Sequence, residues 1–329
     1  MSRNINLVDF GIITDESKLQ EIEKTSNGMF SAGKDGVKNI LITPDKKVEL
    51  IGFEDKTIAY VPSAMKYSAY YPIYPVSLEK PVKAILMDLD GTSVKSEEFW
   101  MYIIERTVAE LVGNPKFELE AADAPFVAGH SVSEHLCYCI DKYCPDKTLQ
   151  QARQIYYDKV DYELNEIMQG RGRENAFTPT EGLKDFLYEL KAKNIKIGLV
   201  TSGLYEKAMP EIISAFRTLN MGDPIDFYDA IITAGTAFKK GQTGTLGEFP
   251  IKPHPWLYNE TCVYGLGIPF EERNSVLAIE DSGAGVCSAR IAGYTTVGLA
   301  GGNIKRSGTD DFCQHYEETL SDIAKIILG

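Results

Sequence analysis

The sequence predicts an α/β fold, in which a doubly wound parallel sheet carries an inserted all-helical segment and follows an N-terminal extension that contains strands. Beyond residue 182, apolar runs of strand length alternate with stretches of helical periodicity. This alternation is typical of a parallel sheet with right-handed crossovers. Residues 97–177 are helical in periodicity, whereas residues 1–80 contain strand-like runs of their own. We therefore predict an extension (1–80), a core (81–96 and 178–329) and a helical insert (97–177).

The extension is predicted to form a small antiparallel meander. Residues 37–43 and 48–53 flank the turn sequence Pro-Asp-Lys-Lys, which predicts a hairpin, and residues 57–61 add a third strand. A short helix is expected over residues 15–24. The tyrosine-rich residues 67–75 are expected to lie as a strap on an apolar surface. Three strands need a packing partner. The extension is therefore expected to pack either against the core or against a second subunit, and the second case would make the protein a homo-oligomer.

The core is predicted to begin with one buried strand, and the helical insert follows it. The apolar run that starts at Ala84 ends in Asp-Leu-Asp-Gly-Thr, residues 88–92. A helix is predicted from Glu97 to a stop at Gly113. Two more helices are predicted in the insert, over residues 131–143 and 147–168.

The rest of the core is predicted to alternate between helices and strands. A helix follows Gly182, and the later strands are predicted at residues 195–200, 230–233, 276–279 and 296–299. Ligand sites in such sheets form where the strands end. The polar residues that stand at these ends are Asp88, Asp90, Thr201, Ser202, Glu280 and Asp281.

Composition and charge argue against several classes of protein. The net charge is −13 without a basic stripe, which makes nucleic acid a poor partner and suits a protein that concentrates divalent cations. No apolar run approaches the ~20 residues that span a bilayer, and the first residues lack the layout of a signal peptide. Six cysteines are too few for a disulfide framework in 329 residues. We expect a reduced, cytoplasmic protein that binds neither nucleic acid nor membranes.

The carboxylates at the end of the first core strand indicate a metal site. The spacing of Asp88 and Asp90 points both side chains the same way along a strand, and Gly91 allows a sharp turn close to a ligand. Buried carboxylates need a neutralising cation, and a divalent metal with oxygen ligands supplies it. An ordinary solvated strand-to-turn junction is the alternative.

Four motifs in order carry a resemblance to a known family. They are Asp-Leu-Asp-Gly-Thr at 88–92, Thr-Ser-Gly at 201–203, Lys252 within Ile-Lys-Pro-His-Pro, and Glu-Asp-Ser-Gly at 280–283. Over about residues 82–300 the chain resembles the haloacid dehalogenase-like hydrolase superfamily, in its branch with a helical cap, and is similar to the β-phosphoglucomutase and phosphoglycolate phosphatase group. The resemblance implies a Rossmann-like core, with the helical insert as the cap.

The resemblance implies a nucleophile, an acid–base residue and a metal. Asp88 is expected to attack phosphorus and form an aspartyl-phosphate, while Asp90 protonates the leaving oxygen and then activates water. Mg²⁺ is expected to be held by Asp88, the Asp90 carbonyl and Asp281, with Glu280 beside it. Taken alone, Glu280 and Asp281 could belong to a solvated loop.

The resemblance also implies a phosphate site. Thr201, Ser202 and Gly203 are expected to bind phosphate oxygens at the start of a helix, and Lys252 to place positive charge on the transferred group. Taken singly, Thr201 and Ser202 could merely cap that helix, and Lys252 could be a surface lysine. The glycine-rich residues 238–250 either line the entrance or form a surface loop.

The cap sequence bears on the substrate and on the reaction. Gly129, His130 and Ser131 are similar to the loop with which related caps contact the substrate. Related mutases use a cap arginine and a histidine after the first motif, where this chain has Val132 and Trp100. The leading hypothesis is a Mg²⁺-dependent phosphatase that acts on a small phosphorylated metabolite. A sugar phosphomutase and a catalytically idle protein that binds a phosphorylated ligand are the alternatives.

Overall fold

A computed structural model describes residues 4–10, 12–15, 18–62, 68–123, 132–234 and 251–329. Contacts between residues divide the chain into two units. The first unit contains residues 1–93, 180–208 and 221–329, and the second contains residues 94–179 and 209–220. The predicted cap lies within the second unit, while the predicted boundary between extension and core falls inside the first unit and stays a prediction.

Seven strands precede residue 80 in the described part of the chain. They are β1 (Asn4–Leu7), β2 (Ile12–Asp15), β3 (Gln20–Glu21), β4 (Asn39–Ile42), β5 (Glu49–Gly52), β6 (Thr57–Val61) and β7 (Ala69–Pro72). β1 and β2 form an antiparallel hairpin, and the other five form the N-terminal sheet, which is antiparallel in the order β3-β4-β5-β6-β7. The predicted hairpin and third strand are confirmed as β4, β5 and β6.

The helix predicted over residues 15–24 is wrong. β2 ends at Asp15, and Gln20–Glu21 pair antiparallel with β4. The Ile22 N–H extends this pairing, because it donates to the Ile40 carbonyl at 2.9 Å. A pattern with so few apolar residues is a weak helix signal, and pairing with β4 satisfies the backbone groups of this segment instead.

The two faces of the N-terminal sheet pack differently, as expected when side chains alternate along a strand. One face joins the core in an apolar cluster, here called the shared cluster, whose members include Leu41, Leu50, Ala59, Val61, Val286, Ile291 and Phe312. The other face forms a separate cluster around Ile40, Ile51 and Tyr60. β7 divides in the same way, because Tyr71 packs on the shared cluster and Tyr70 on the separate one. The predicted strap therefore includes an edge strand.

The strands of the rest of the chain are β8 (Ala84–Asp88), β9 (Val94–Lys95), β10 (Thr178–Pro179), β11 (Lys196–Val200), β12 (Ala230–Ile232), β13 (Val276–Glu280), β14 (Thr295–Leu299) and β15 (His315–Glu317). The α-helices are α1 (Glu97–Val112), α2 (Val132–Tyr143), α3 (Leu149–Met168), α4 (Leu183–Ala192), α5 (Tyr205–Thr218), α6 (Pro224–Phe227), α7 (Trp256–Asn259), α8 (Gly283–Ile291) and α9 (Leu320–Leu328).

The core sheet has the order β12-β11-β8-β13-β14-β15, with every pair parallel. β8 lies between β11 and β13, and every residue of β8 and β13 is buried. Strands covered on both faces are expected to be continuously apolar, which is why the sequence predicts them well. The predicted doubly wound α/β fold with a parallel sheet is confirmed.

The sequence prediction omitted β15 and α9. β15 consists of His315, Tyr316 and Glu317 and pairs with β14 at the edge of the sheet. An edge strand of three residues, two of them polar, gives no apolar run to detect.

In its described residues, the second unit is helical apart from the two-stranded ribbon of β9 and β10. α1 begins directly after Ser96 and stops before Gly113, whose φ is +68°, so both predicted ends are confirmed. The helices predicted over 131–143 and 147–168 are confirmed as α2 and α3, and Thr148 forms a capping box with Gln151 at the start of α3. In the described part of the chain, no helix has both the length and the apolar character needed to span a membrane.

Candidate active site

The candidate site lies where three neighbouring strands of the core sheet end. Asp88 is the last residue of β8, Glu280 is the last residue of β13, and Thr201 directly follows β11. Because parallel strands end at one edge of the sheet, these residues lie together although they are distant in sequence. The sequence analysis predicted these residues at the ends of strands, and the structure shows that they lie close together.

Lys252 is the positive centre of the site. Its Nζ lies 2.5 Å from Asp88 Oδ1 and 2.6 Å from Glu280 Oε1, and only 6% of the lysine side chain is exposed. Burial by itself would lower the pKa of Lys252, but the charges of Asp88 and Glu280 outweigh it and raise the pKa. The lysine is therefore a cation at neutral pH, and the alternative of a surface lysine is wrong.

Three buried carboxyl groups surround this single ammonium. Oxygens of Asp88, Glu280 and Asp281 lie within 4.8 Å of one another. Burial and the negative charge of Glu280 raise the pKa of Asp88 well above its usual value, and Lys252 only partly opposes this. The same two causes raise the pKa of Asp281 to about 7. When all three groups are ionised, the single ammonium leaves a negative excess that a divalent cation would neutralise, so the donor set fits such an ion.

The Glu280 carboxylate is largely occupied by protein donors. Oε1 accepts hydrogen bonds from Lys252 and from the Tyr258 hydroxyl, the latter at 2.5 Å, and Oε2 accepts one from the Ser282 hydroxyl at 3.1 Å. Lys252 Nζ also lies 5.2 Å from the centre of the Tyr258 ring, within cation–π range. Glu280 thus holds Lys252, which leaves Asp88 and Asp281 as the freer carboxylates for a metal.

Gly91 is required by the close approach of Asp281. Its φ is +87°, and a Cβ at this position would lie 2.1 Å from Asp281 Oδ2. Any side chain at residue 91 would therefore displace a candidate metal ligand. The turn that the sequence predicted after the first core strand is confirmed.

Thr201, Ser202 and Gly203 form the turn after β11. Thr201 is buried, and its Oγ1 accepts a hydrogen bond from the Gly203 N–H at 2.9 Å. Ser202 Oγ accepts one from the Lys252 N–H at 3.2 Å. The turn thus adjoins Lys252, while the phosphate-binding role of its three residues stays a prediction.

Asp90 lies at a more open position than Asp88. Its side chain is 35% exposed, and Oδ2 lies 3.5 Å from Lys207 Nζ of α5. Such access suits a residue that exchanges protons with water.

Sequence analysis missed Lys207 and Tyr258. Lys207 lies on the first turns of the helix after the second motif, where a basic residue was an available signal. Tyr258, six residues after Lys252, is fully buried and gives no signal, because a buried tyrosine resembles any aromatic core residue.

Some predicted residues lie outside the described part of the chain. They are the cap residues Gly129, His130 and Ser131 and the glycine-rich residues 238–250.

Comparison with known proteins shows the family of this chain. The family model described as haloacid dehalogenase-like hydrolase matches residues 85–299, which is more than half of the chain. No curated protein sequence matches significantly.

Solved structures share the fold. A candidate beta-phosphoglucomutase from Thermotoga maritima is 19% identical with a TM-score of 0.54, over 74% of this chain and 98% of its own. A predicted phosphoglycolate phosphatase from Haemophilus somnus 129pt is 19% identical with a TM-score of 0.52, over 75% and 98%. A HAD-superfamily hydrolase from Geobacter sulfurreducens PCA is 18% identical with a TM-score of 0.52, over 77% and 99%. Together with the four motifs, the family match means that this chain belongs to the haloacid dehalogenase-like hydrolases.

Proposed function

We propose that the protein is a Mg²⁺-dependent phosphatase that hydrolyses a small phosphorylated metabolite. The observation that carries this proposal is the contact of Lys252 with Asp88 at the carboxyl end of β8, beside Asp281. This arrangement combines a carboxylate nucleophile, a fixed positive charge and a candidate metal site. Family membership supports a hydrolase, and relatives with the same fold include a protein described as a phosphatase.

The residues suggest a two-step reaction. A carboxylate oxygen of Asp88 attacks phosphorus, the bond to the leaving oxygen breaks, and Asp90 gives that oxygen a proton. Asp90 then takes a proton from water, and this water attacks the aspartyl-phosphate, which frees Asp88 and phosphate. Lys252 stabilises the negative charge of the transferred group in both steps. Bound Mg²⁺, held by Asp88, Asp281 and the Asp90 carbonyl, would neutralise the charges that otherwise repel the substrate.

Hydrolysis is favoured over phosphomutation by the residues that replace those of related mutases. Trp100, at the position expected for a histidine, packs beside Phe99 and Phe177, with ring centres 5.0 and 6.2 Å away. An indole cannot exchange a proton near neutral pH. Val132, at the position expected for an arginine, cannot bind a second phosphate. We therefore expect water, rather than a sugar, to accept the phosphoryl group.

The decisive experiment measures phosphate release from a panel of phosphorylated small metabolites. We expect turnover with Mg²⁺, loss of turnover with EDTA, and inhibition by Ca²⁺, whose coordination is looser. Full activity in chelator would contradict the metal site. Incubation with β-glucose 1-phosphate and a trace of glucose 1,6-bisphosphate tests the alternative, because rapid formation of glucose 6-phosphate without phosphate release would identify a mutase.

Asp88→Asn should abolish turnover and leave the fold intact. The amide has nearly the shape of the carboxylate but is not a competent nucleophile, and its neutrality relieves the crowding of buried negative charge. Asp322→Asn is the matched control, since Asp322 pairs with Lys325 on the solvent-facing side of α9. If Asp88→Asn keeps even a tenth of the rate, which is ~1.4 kcal/mol of barrier, the covalent mechanism is wrong.

A further inference from the structure

The segment that carries Lys252 is fixed to the core at two backbone positions. The Lys252 N–H donates to Ser202 Oγ at 3.2 Å. Two residues later, the His254 carbonyl accepts a hydrogen bond from the Ser288 hydroxyl of α8 at 2.5 Å. These bonds connect the segment to the turn after β11 and to the helix after β13, so the backbone of the lysine is held from two sides of the site.

The His254 side chain adds a third attachment, and this one leads to the N-terminal sheet. Its Nδ1 and the Tyr71 hydroxyl form a hydrogen bond of 2.7 Å, and the two rings meet edge to face with centres 5.8 Å apart. The Trp256 ring meets Tyr71 in the same way at 6.1 Å. Tyr71 belongs to β7, outside the residues 85–299 that match the family model.

The hydrogen bond between Tyr71 and His254 matters for stability because the imidazole of His254 is buried. Only 1% of the residue is exposed, and burial lowers the pKa of the imidazole, so the ring is neutral at neutral pH. Its Nε2 is buried and has no hydrogen-bond partner among the residues that the structure describes. Without Tyr71, both ring nitrogens would be buried and unsatisfied, which is costly. The bond to Tyr71 therefore fixes the orientation of this imidazole and adds to the two backbone bonds that hold the segment.

We propose that the N-terminal sheet is part of the catalytic apparatus, with Tyr71 and His254 as positioning residues that hold Lys252 between Asp88 and Glu280. This inference rests on the proposed phosphatase function. The lysine side chain is flexible and makes two short ion pairs, of 2.5 and 2.6 Å, so its placement depends on a fixed backbone. A shift of ~1 Å in a catalytic group can cost up to ~100-fold in rate.

The first test compares two tyrosines of one strand. Tyr71→Phe removes the hydroxyl and keeps the ring, and it should lower kcat about five- to twentyfold with KM within about twofold, since only the placement of a charge that acts on the transition state changes. Tyr70→Phe is the matched control, because the Tyr70 hydroxyl bonds Asn27 on the opposite face of the sheet. Equal kcat values for Tyr71→Phe and the wild type would overturn the inference.

Two further variants separate positioning from general damage to the fold. His254→Asn keeps a polar atom close to the position of Nδ1 and should retain more of kcat than His254→Ala. In a Lys252→Ala background, Tyr71→Phe should cause no additional loss, because residues that act through one group are not additive. If Tyr71→Phe lowered kcat in this background by the same factor as in the wild type, Tyr71 would not act through Lys252.

Crystal structures of the two tyrosine variants supply a readout that does not need turnover. In Tyr71→Phe we expect Lys252 Nζ to move away from Asp88, whereas Tyr70→Phe should keep the wild-type position. An unmoved lysine in both variants would refute the inference. If the wild type released no phosphate from any substrate, the proposed function would fail, while this comparison would still decide whether the N-terminal sheet positions the lysine.

Discussion

At the scale of single residues, Lys252 has both a proposed catalytic role and a role in the stability of the fold. The two carboxylates that it contacts, Asp88 and Glu280, are 164 and 28 residues away in sequence. Like charges buried so close together repel one another, and the ammonium between them offsets part of that repulsion. The lysine that is proposed to stabilise the transferred phosphoryl group therefore also makes the cluster of acids tolerable in the folded protein.

Gly91→Ala tests the close approach of the first-motif turn to Asp281. The new Cβ would meet Asp281 Oδ2 at 2.1 Å, so we expect phosphate release to fall by up to ~100-fold, as for other misplaced catalytic groups. Gly222→Ala is the control, because Gly222 has a similar φ of +85° and no described atom would lie within 4 Å of its new Cβ. Gly222→Ala should lose about 1–2 kcal/mol of unfolding free energy, the cost of the left-handed backbone alone, and Gly91→Ala should lose more because of the added clash; urea denaturation measures both. Normal activity in Gly91→Ala would contradict the role of this turn.

Tyr258→Phe tests the support of Glu280. The variant removes the Tyr258 hydrogen bond to Glu280 Oε1. Because Glu280 then holds Lys252 less firmly, we expect kcat to fall several-fold. Tyr294→Phe is the matched control, since Tyr294 is also buried and its hydroxyl bonds Asn259 instead. Steady-state kinetics of both variants check this. The same kcat in both would mean that Tyr258 only fills space.

At the scale of elements, the helical unit has its own electrostatic anchor at Asp123. The buried carboxylate accepts hydrogen bonds from Lys142 at 2.7 Å, from Tyr138 at 2.5 Å and from Tyr143. These donors tie α2 to the short helical turn Ala121–Asp123. Burial alone would raise the pKa of Asp123, but the bonds from Lys142 and the two tyrosines outweigh it and lower the pKa to about 2.

Asp123→Asn should destabilise the protein in a pH-dependent manner. A carboxyl group whose pKa falls on folding contributes stability that is fully present above its unfolded pKa of 3.8 and is lost as the pH falls towards about 2. We expect the variant to lose about 1–3 kcal/mol at pH 7, the usual cost of disturbing a buried hydrogen-bonded group, and this difference to shrink below pH 4. Thermal melts of both proteins from pH 7 to pH 3 measure it. A constant difference across this range would contradict the assignment.

Elements with strong local signals could be predicted from the sequence, and those set by distant partners could not. β8 and β13 were predictable because their residues are buried and apolar, and α1 because Gly113 stops it. β3 escaped prediction because only its pairing with β4 makes it a strand. The same division holds in the site. The motif residues can be recognised by their type and spacing. Tyr258 cannot, because its role depends on its hydrogen bond to Glu280, which no local sequence pattern encodes.

At the scale of the whole molecule, the N-terminal sheet depends on the last part of the chain. The shared cluster joins residues 7–73 to residues 286–316. Lys18 pairs with Asp310 and Asp311 at 2.8 and 2.7 Å. The buried Arg290 guanidinium donates to the Phe10 carbonyl at 2.7 Å and lies over the Phe10 ring, with 4.9 Å to the ring centre. The N-terminal residues thus cover both apolar surface and a buried cation.

Deletion of residues 1–80 should therefore prevent formation of a soluble monomer. The deletion would expose the core side of the shared cluster, and exposed apolar patches of this kind promote association. It would also remove the carbonyl partner of Arg290. Size-exclusion chromatography and circular dichroism of the truncated chain check this. A stable, soluble and fully active monomer would mean that residues 1–80 are dispensable for both folding and catalysis.

The contact between Phe10 and Arg290 also has a consequence for the timing of protein synthesis. The two residues are separated by 280 positions, so at about 5–20 residues per second a ribosome needs roughly 15–60 s to make the second after the first. During this interval the first strands have emerged without the helix that covers them. Their apolar face and unpaired edge are then open to other nascent chains on the same messenger RNA. The order of the segments therefore leaves the apolar side chains of residues 7–73 without their partners at 286–316 until the last part of the core has been made.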